Sequence, residues 1–232
     1  RMPELVYLDT NAQVLSAAEI AELPKTLRTL LLCPLHPSVT ASSLLEIHRA
    51  LPRELTRLNL PVETLEWTEE LLLALPRGLK QFSIAPRSCA SNLVRALPPG
   101  IDTLKTDKVT PDVLRLSHLK SLTATYAKID VNFIPPSVTR LSFPAAPVFE
   151  ARDLEKLPPS LEFLSDASCS DLAALPRSVK KLAIPALFSS WQPYFQSAFP
   201  EEGFPPTLES LELYDFHTLP PGWTRMLPLS LR

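Results

Sequence analysis

Glycine is scarce in this chain, which has 4 glycines and 26 prolines among 232 residues. So few glycines leave little material for a glycine-rich phosphate loop, and neither that motif nor the G-x-S-x-G of serine hydrolases occurs. Prolines at this density without glycine indicate regular structure that is stopped often, not flexible linkers. The sequence carries no enzyme signature, and we expect the protein not to be an enzyme.

Cysteine is also rare, and Cys33, Cys89 and Cys169 stand far apart without a C-x-x-C pair. This pattern predicts neither a disulfide framework nor a zinc site. The four histidines have no H-E-x-x-H or paired spacing, so we expect no metal site and no cofactor. None of the asparagines begins an N-x-Ser/Thr sequon, and together these features favour a reducing, cytoplasmic setting.

The chain also lacks long apolar runs and an excess of charge of one sign. No run approaches the ~18–20 residues of a membrane span, and residues 1–15 lack the basic start and apolar block of a signal peptide. The net charge is −2 and the pI about 6.1, so no field of the whole chain attracts polyanions. We therefore expect neither nucleic acid nor membrane as a partner.

A ten-residue motif, L-P-x-x-L-x-x-L-x-L, returns along the whole chain. Its final L-x-x-L-x-L suits a short strand, while its leading Leu-Pro ends the segment before it. Successive copies start 18 to 29 residues apart, close to the period of leucine-rich repeats. Full copies begin at residues 23, 51, 75, 97, 115, 134, 157, 175 and 204, and partial copies begin at 2 and 227.

Segments of helical character lie between the copies and run into the next motif. Two of them begin with a capping-box pattern, Ser16 with Glu19 and Ser43 with Glu46, and Thr110 precedes a proline at the first helical position. The pattern predicts one short helix and one parallel strand per repeat. The helical segments cover residues 16–23, 43–51, 68–75, 91–97, 110–116, 151–157 and 170–175.

These copies resemble leucine-rich repeat proteins, and the leading Leu-Pro resembles the LPX variety found in bacterial effectors. IPPSVTRLSF at 134–143 is similar to FNIP-type repeats. The resemblance implies an α/β leucine-rich repeat solenoid, a horseshoe with a concave parallel sheet and short convex helices. We predict that residues 1–232 form a single array of about ten repeats, an excerpt of a longer array. The leucine-rich repeat consensus L-x-x-L-x-L-x-x-N/C ends in an asparagine or cysteine, eight residues after its first leucine. Only Cys169 matches this residue, so we do not expect an asparagine ladder.

The motif places its leucines inward and its seventh and ninth positions outward, Ser165 and Ala183 among them. The outward positions make a mostly polar surface of mixed charge, with arginine and aromatic side chains of the kind that anchor protein interfaces. We expect a protein partner on this surface and no small-molecule substrate. The predicted partner-binding residues of the motif are Arg57, Asn59, Gln81, Lys105, Arg140, Phe163 and Lys181.

Residues 188–204 form an insert with six aromatic side chains, including Trp191 and Tyr194. If the insert is an exposed loop, these two residues would extend the partner-binding surface. The alternative is a satellite core beneath an enlarged helix, which we favour because exposing all six aromatics would promote aggregation.

Three functions remain open. The first is a recognition arm or scaffold that binds a protein through the repeat surface. The second, implied by the resemblance alone, is the substrate-recognition part of a ubiquitin ligase, either effector-like or of F-box type, and the third is a structural spacer. Cys169-Ser170-Asp171 resembles the Cys-x-Asp motif of the ligase domain in some LPX effectors. Cys169, however, fills the asparagine or cysteine position of the leucine-rich repeat consensus, and Asp171 begins a helix. We therefore favour a structural role for both.

Overall fold

The structure is a computed structural model that describes residues 5–10, 15–32, 40–60, 67–84, 93–106, 109–125, 129–144, 147–169, 171–185, 204–214 and 223–232. The chain divides into two compact units, residues 1–119 and 120–232. Each unit is a parallel sheet whose strands follow chain order and are joined by short helices. That the chain is one array within a longer one stays a prediction.

The first unit has five parallel strands: β1 (Tyr7–Asp9), β2 (Thr29–Leu31), β3 (Arg57–Leu60), β4 (Gln81–Ile84) and β5 (Thr103–Thr106). They pair in the motif's own register, so that Leu30, Leu58, Phe82 and Leu104 form one inward row. The helical elements are α1 (Ala17–Ala21), α2 (Ala41–Ala50), α3 (Glu69–Leu73) and two 3-10 helices, Leu93–Ala96 and Pro111–Arg115.

The second unit has five strands in its main sheet: β6 (Ser121–Ala124), β7 (Arg140–Ser142), β9 (Phe163–Ser165), β11 (Lys181–Pro185) and β12 (Ser210–Tyr214). A separate two-stranded parallel sheet pairs β8 (Val148–Phe149) with β10 (Ser168–Cys169). One α-helix, α4 (Ala151–Leu154), and the 3-10 helices Val131–Phe133, Leu172–Ala174 and Trp223–Met226 complete the described elements.

The structure confirms the ten strands predicted from the repeat and corrects the helices. Apart from α2, which has ten residues, the described helices have three to five residues, or about one turn. Several of them are 3-10 helices, which need fewer residues per turn. Ser16 and Glu19 form the predicted capping box. The prediction of a capping box at Ser43 and Glu46 is wrong, because α2 begins earlier. Its N-cap is Thr40, whose side chain accepts from the Ser43 N–H.

Each Leu-Pro makes the corner between helix and strand. The leucine N–H closes the helix with a bond to the carbonyl three residues earlier, as Leu51 does to His48 at 3.3 Å. The proline carbonyl then accepts from the next inward residue, as Pro52 does from Leu55 at 3.2 Å. Proline suits this position because it fixes φ and brings no N–H that would need a partner where the helix has ended.

A hydroxyl ladder joins successive repeats of the second unit at the fourth motif position. Each serine or threonine there donates to the backbone carbonyl of the fifth position in the preceding repeat, which satisfies a buried acceptor. The bonds run from Ser160 to Val138 at 2.9 Å, from Ser178 to Leu161 at 2.7 Å, from Thr207 to Val179 at 3.0 Å and from Ser230 to Leu208 at 2.6 Å.

The inward leucines form the core of each unit, and most of them are fully buried. Burying one such side chain contributes about 1.5–3 kcal/mol, so stacking repeats supplies stability that a single repeat lacks. The first unit also buries His48 of α2 against Trp67, whose ring contacts Phe82 edge to face at 5.6 Å. The His48 Nδ1–H donates to the Leu71 carbonyl at 2.8 Å.

Candidate functional site on the open sheet face

The seventh and ninth positions of each motif form what we call the open face of each sheet. Their side chains are exposed or half-buried almost throughout, as the motif predicts. Ser165 and Ala183 depart from the prediction of an exposed surface. The motif places both outward, but they are only 7% and 5% exposed. The cause is a polar contact across the sheet, described below.

Three of the predicted residues lie side by side in the second unit. Phe163 of β9 pairs with Arg140 of β7 on one side and with Lys181 of β11 on the other. Arg140 and Lys181 are exposed and Phe163 is half-buried. Neighbouring strands are about 4.8 Å apart, so the two cations flank one aromatic ring over about 10 Å. We call Arg140, Phe163 and Lys181 the basic row.

The first unit brings its four predicted residues together less closely. Arg57 pairs with Gln81 in the first outward row, and Asn59 pairs with Ser83 in the second. Lys105 also pairs with Ser83, from the other side, so Asn59 and Lys105 are separated by one strand. Arg57 and Lys105 are exposed, while Asn59 and Gln81 are half-buried.

The aromatic insert at 188–204, with Trp191 and Tyr194, lies outside the described residues. Its two interpretations, binding loop or local core, therefore stay predictions.

A hydrogen-bond network on the open face of the second unit was not predicted. The Tyr214 hydroxyl, at the end of β12, donates to Asp166 Oδ1, and Ser142 Oγ of β7 donates to Asp166 Oδ2 at 3.1 Å. Asp166 follows β9 in the left-handed region, with φ 60, and its N–H donates to the Ala183 carbonyl at 2.9 Å. Asp and Asn adopt this conformation more readily than most residues. One carboxylate thus ties three strands together.

This network explains the buried residues of the face. Tyr214 pairs with Pro185 of β11, so its ring must cross β11 to reach Asp166 beside β9. Small side chains beneath that path, Ser165 and Ala183, are covered along with Pro185. Burial, the hydrogen bond to Asp166 and the charges of Asp166 and Glu212 together raise the pKa of Tyr214, with burial the largest cause.

Charged residues also line the edge of the second unit where the strands begin. Lys180 donates to Glu162 at 2.8 Å. The hydrogen bond and charge of Lys180 lower the pKa of Glu162, and those of Glu162, with a further contribution from the charge of Glu209, raise the pKa of Lys180. One lysine thus interacts with two carboxylates next to the basic row.

Cys169 and Asp171 are structural residues in this fold. Cys169 is buried in β10, and burial raises the pKa of its thiol to about 12, so the thiolate is not formed near neutral pH. The Asp171 carboxylate accepts from the Ala173 N–H at 2.9 Å and caps a 3-10 helix. Cys33 and Cys89 lie outside the described residues.

Two features are absent from the described residues, a metal-binding cluster and a membrane-spanning helix. No group of three or more His, Cys, Asp or Glu side chains there is placed to hold a metal ion. Across the same ranges, no helix has the length and apolar character that crossing a bilayer requires.

The open sheet face, the inward leucine rows and the short helical connections define the fold as an α/β leucine-rich repeat solenoid. Similar solved structures include CroV588, a circular leucine-rich repeat protein (TM-score 0.63, 20% identity), which aligns over 90% of this chain and 30% of its own. An internalin of Listeria monocytogenes has a TM-score of 0.59 at 15% identity, over 97% of this chain and 65% of its own. A chain of the Drosophila Toll–Spätzle complex has a TM-score of 0.51 at 14% identity, over 90% and 29%.

The chain therefore spans less than two thirds of each of these three structures. Identities this low show the fold alone. No protein-family model and no curated protein matches the sequence.

The sequence patterns missed the Asp166–Tyr214 network for two reasons. Tyr214 lies one residue past the ten-residue motif that begins at 204, and Asp166 occupies the tenth position of the copy at 157, where the motif predicts an inward leucine. A signal was present in β12, where the alternation of outward and inward residues continues past Glu212 to Tyr214. Extending the outward row by one position would have placed Tyr214 on the open face.

Proposed function

We propose that this protein is a recognition module that holds a protein partner on the open face of its leucine-rich repeats. The observation that carries the proposal is the basic row, in which Arg140, Phe163 and Lys181 stand on adjacent strands at one register. Arginine and aromatic side chains are the commonest anchors of protein interfaces. A rigid sheet holds them in place before binding, which reduces the ordering cost of association.

The residues of the first unit extend this surface under the same proposal. Arg57 and Gln81 are adjacent, and Asn59 and Lys105 offer further hydrogen-bond and charge contacts. Trp191 and Tyr194 join the proposed surface only if the insert is exposed. One similar structure is that of a complex of Toll with Spätzle, which supports protein binding by this fold without assigning a partner here.

Site-specific photo-crosslinking tests this proposal. A photoreactive amino acid at Phe163 places the probe on the open face, and the same probe at Val148, 52% exposed on β8 outside the main sheet, is the matched control. We expect the full-length protein in its own cells to crosslink a partner from position 163 and not from 148. Crosslinks from 148 alone would support the alternative role of a structural spacer.

A finer assignment concerns the subtype and the ubiquitin-ligase alternative. We propose the LPX/FNIP-like subtype because nine corners of the described residues have a proline carbonyl as acceptor, as Pro52 accepts from Leu55, and the corner from Leu116 to Leu119 makes the same bond without a proline. A substrate-recognition role in a ubiquitin ligase has the resemblance alone in its favour. An F-box or cysteine-containing ligase domain in the full-length gene, with ubiquitin-linked proteins co-purifying, would support it, and a gene without either domain would end it.

We propose an intracellular, cytoplasmic location and assign no catalytic step to the chain. The buried free thiol of Cys169 suits a reducing compartment. Fluorescence microscopy of the tagged full-length protein tests the location, and secretion of the protein would contradict it.

A further inference from the structure

The first outward row of the second unit carries positive charge and no carboxylate. It consists of Ser121, Arg140, Phe163, Lys181 and Ser210, paired strand to strand at one register. Two cations, one aromatic ring and two hydroxyls are therefore presented together. The row has no anion of its own to balance Arg140 and Lys181.

Two neighbouring carboxylates, those of Glu162 and Asp166, are engaged elsewhere. Glu162 accepts from Lys180 at 2.8 Å, and Asp166 accepts from Ser142 and Tyr214. Among the ion pairs of the described residues, none includes Arg140 or Lys181. Glu212 is exposed in the second outward row, on the last strand, and bounds the positive region on that side.

We propose that the basic row binds an acidic segment of the protein partner, with an apolar side chain of that segment lying on Phe163 between two carboxylates. The inference rests on the proposed function and adds the chemistry of the partner. Arg140 suits a bidentate bond to one carboxylate, and Lys181 acts as a point charge toward the other. Charge attraction alone does not fix where the segment lies. Phe163 supplies an apolar contact that fixes its position on the row.

The spacing of the row limits the shape of the segment. Arg140 and Lys181 are two strand spacings apart, about 10 Å, and both side chains are long and exposed. Alternate residues of an extended chain face the same way at about 6.6 Å intervals, so carboxylates at positions i and i+4 lie about 13 Å apart. Residue i+2 then faces Phe163. An extended acidic–x–apolar–x–acidic segment fits the row.

The described residues of the first unit form no equivalent site. Arg57 is flanked in its row by Thr29 and Gln81, so no aromatic ring and no second cation adjoin it. The proposal therefore assigns the acidic segment to the second unit.

Peptide selection on the intact chain tests the proposal. A displayed library of random twelve-residue peptides is selected on the wild-type protein, and selected peptides are then measured by fluorescence anisotropy. Binding is compared for wild type, for Arg140→Gln/Lys181→Gln, and for Phe163→Ala. The matched control is Arg152→Gln/Lys156→Gln, which removes the same charge from exposed positions at and just after α4 in the same unit.

We expect the selected peptides to be enriched in Asp and Glu on either side of an apolar residue. Their affinity should fall roughly tenfold or more in the basic-row double variant and in Phe163→Ala, remain within about twofold in the control variant, and weaken with salt. Selected peptides that lack acidic residues, or that bind the double variant equally well, would overturn the partner chemistry and leave the proposed function standing. Failure to select any binder from the open face, together with no crosslink from position 163, would count against both.

Discussion

The phenol of Tyr214 donates a hydrogen bond to the Asp166 carboxylate although β11 lies between the strands β12 and β9 that bring them together. The contact ties the open face of the second unit across its strands, whereas the backbone ladder joins only neighbours. It lies on the same face as the basic row and fixes the strands that carry Phe163 and Lys181. Stability of the second unit and the shape of its proposed binding surface therefore share this bond.

Replacing Tyr214 with phenylalanine tests the strength of this bond. The variant keeps the ring over β11 and removes the donor, leaving Asp166 with Ser142 alone. Hydrogen bonds to charged groups contribute about 1.5–3 kcal/mol, and we expect a loss near the lower value because Tyr214 is only half-buried. Urea unfolding measures the change.

The control for this prediction is Tyr7→Phe. Tyr7 is 53% exposed and its hydroxyl meets Asp9 at a long 3.4 Å, so we expect a change within about 0.5 kcal/mol. Equal losses in the two variants would show that the contact of Tyr214 with Asp166 adds nothing beyond an ordinary surface hydrogen bond.

A further hydroxyl bond of the ladder type should stabilise the first unit, where Thr26 already donates to the Leu5 carbonyl at 3.4 Å. Gly78 occupies the fourth motif position, and a Cβ added there would meet the Leu55 carbonyl at 3.9 Å, an ordinary contact without backbone strain. Leu55 is the fifth-position residue of the preceding repeat, so a serine at 78 can donate to it as Ser178 donates to Leu161. We expect Gly78→Ser to raise the free energy of unfolding by about 1 kcal/mol.

Gly78→Ala separates the two contributions. Like serine, alanine reduces the conformational entropy of the unfolded chain, which raises the free energy of unfolding by about 0.4–1 kcal/mol, but alanine has no hydroxyl. We expect the serine variant to exceed the alanine variant by about 0.5 kcal/mol in thermal or urea unfolding. A serine variant no more stable than the alanine variant would mean that the ladder bonds are neutral.

Most of the fold was predictable because the motif encodes it directly. Leucines at the fifth, eighth and tenth positions predict inward rows, and Leu30, Leu58 and Leu104 lie in the places this spacing requires. The Leu-Pro corner was predictable for the same reason, since proline disfavours helix in the residue before it and is not tolerated beyond the first turn of a helix.

The site was predictable only in part, because its side chains depend on contacts between repeats. Arg140, Phe163 and Lys181 follow from the motif, since each is a seventh-position residue in successive repeats. Burial of Ser165 and Ala183 does not follow, because it depends on a tyrosine two strands away from β9. Pattern counting within one repeat contains no information about such a contact.

Stability should fall in mild acid because of His48. This side chain is 1% exposed, and burial lowers its pKa from 6.5 to about 4, against a smaller opposing effect of its hydrogen bond to Leu71. The unfolded chain therefore binds a proton near pH 6.5 that the folded chain resists. The stabilisation that comes from keeping His48 neutral is fully present above about pH 6.5. As the pH falls from 6.5 through about 4, the free energy of unfolding decreases on this account by about 3 kcal/mol at most.

The measurement is urea unfolding of wild type and His48→Gln between pH 7 and pH 4. Glutamine can keep a donor toward the Leu71 carbonyl and does not titrate. We expect the variant to be less stable at pH 7 and to lose less stability on acidification, so that the difference between the two proteins narrows. Parallel pH profiles would place the acid sensitivity on other groups.

The thiol of Cys169 should be unreactive in the folded protein. It is buried in β10, and burial raises its pKa to about 12, so both access and ionisation are suppressed. In a Cys33→Ser/Cys89→Ser variant we expect labelling by a disulfide reagent at pH 8 to be at least about a hundredfold slower than in urea, because the reaction waits for local opening. Fast labelling of the folded variant would instead indicate a reactive thiol and reopen the Cys-x-Asp catalytic interpretation. Asp171→Ala is the matched test: loss of the helix cap should cost about 0.5–2 kcal/mol of stability and leave the labelling rate of the folded state almost unchanged, whereas removing a catalytic partner of the thiol would change that rate.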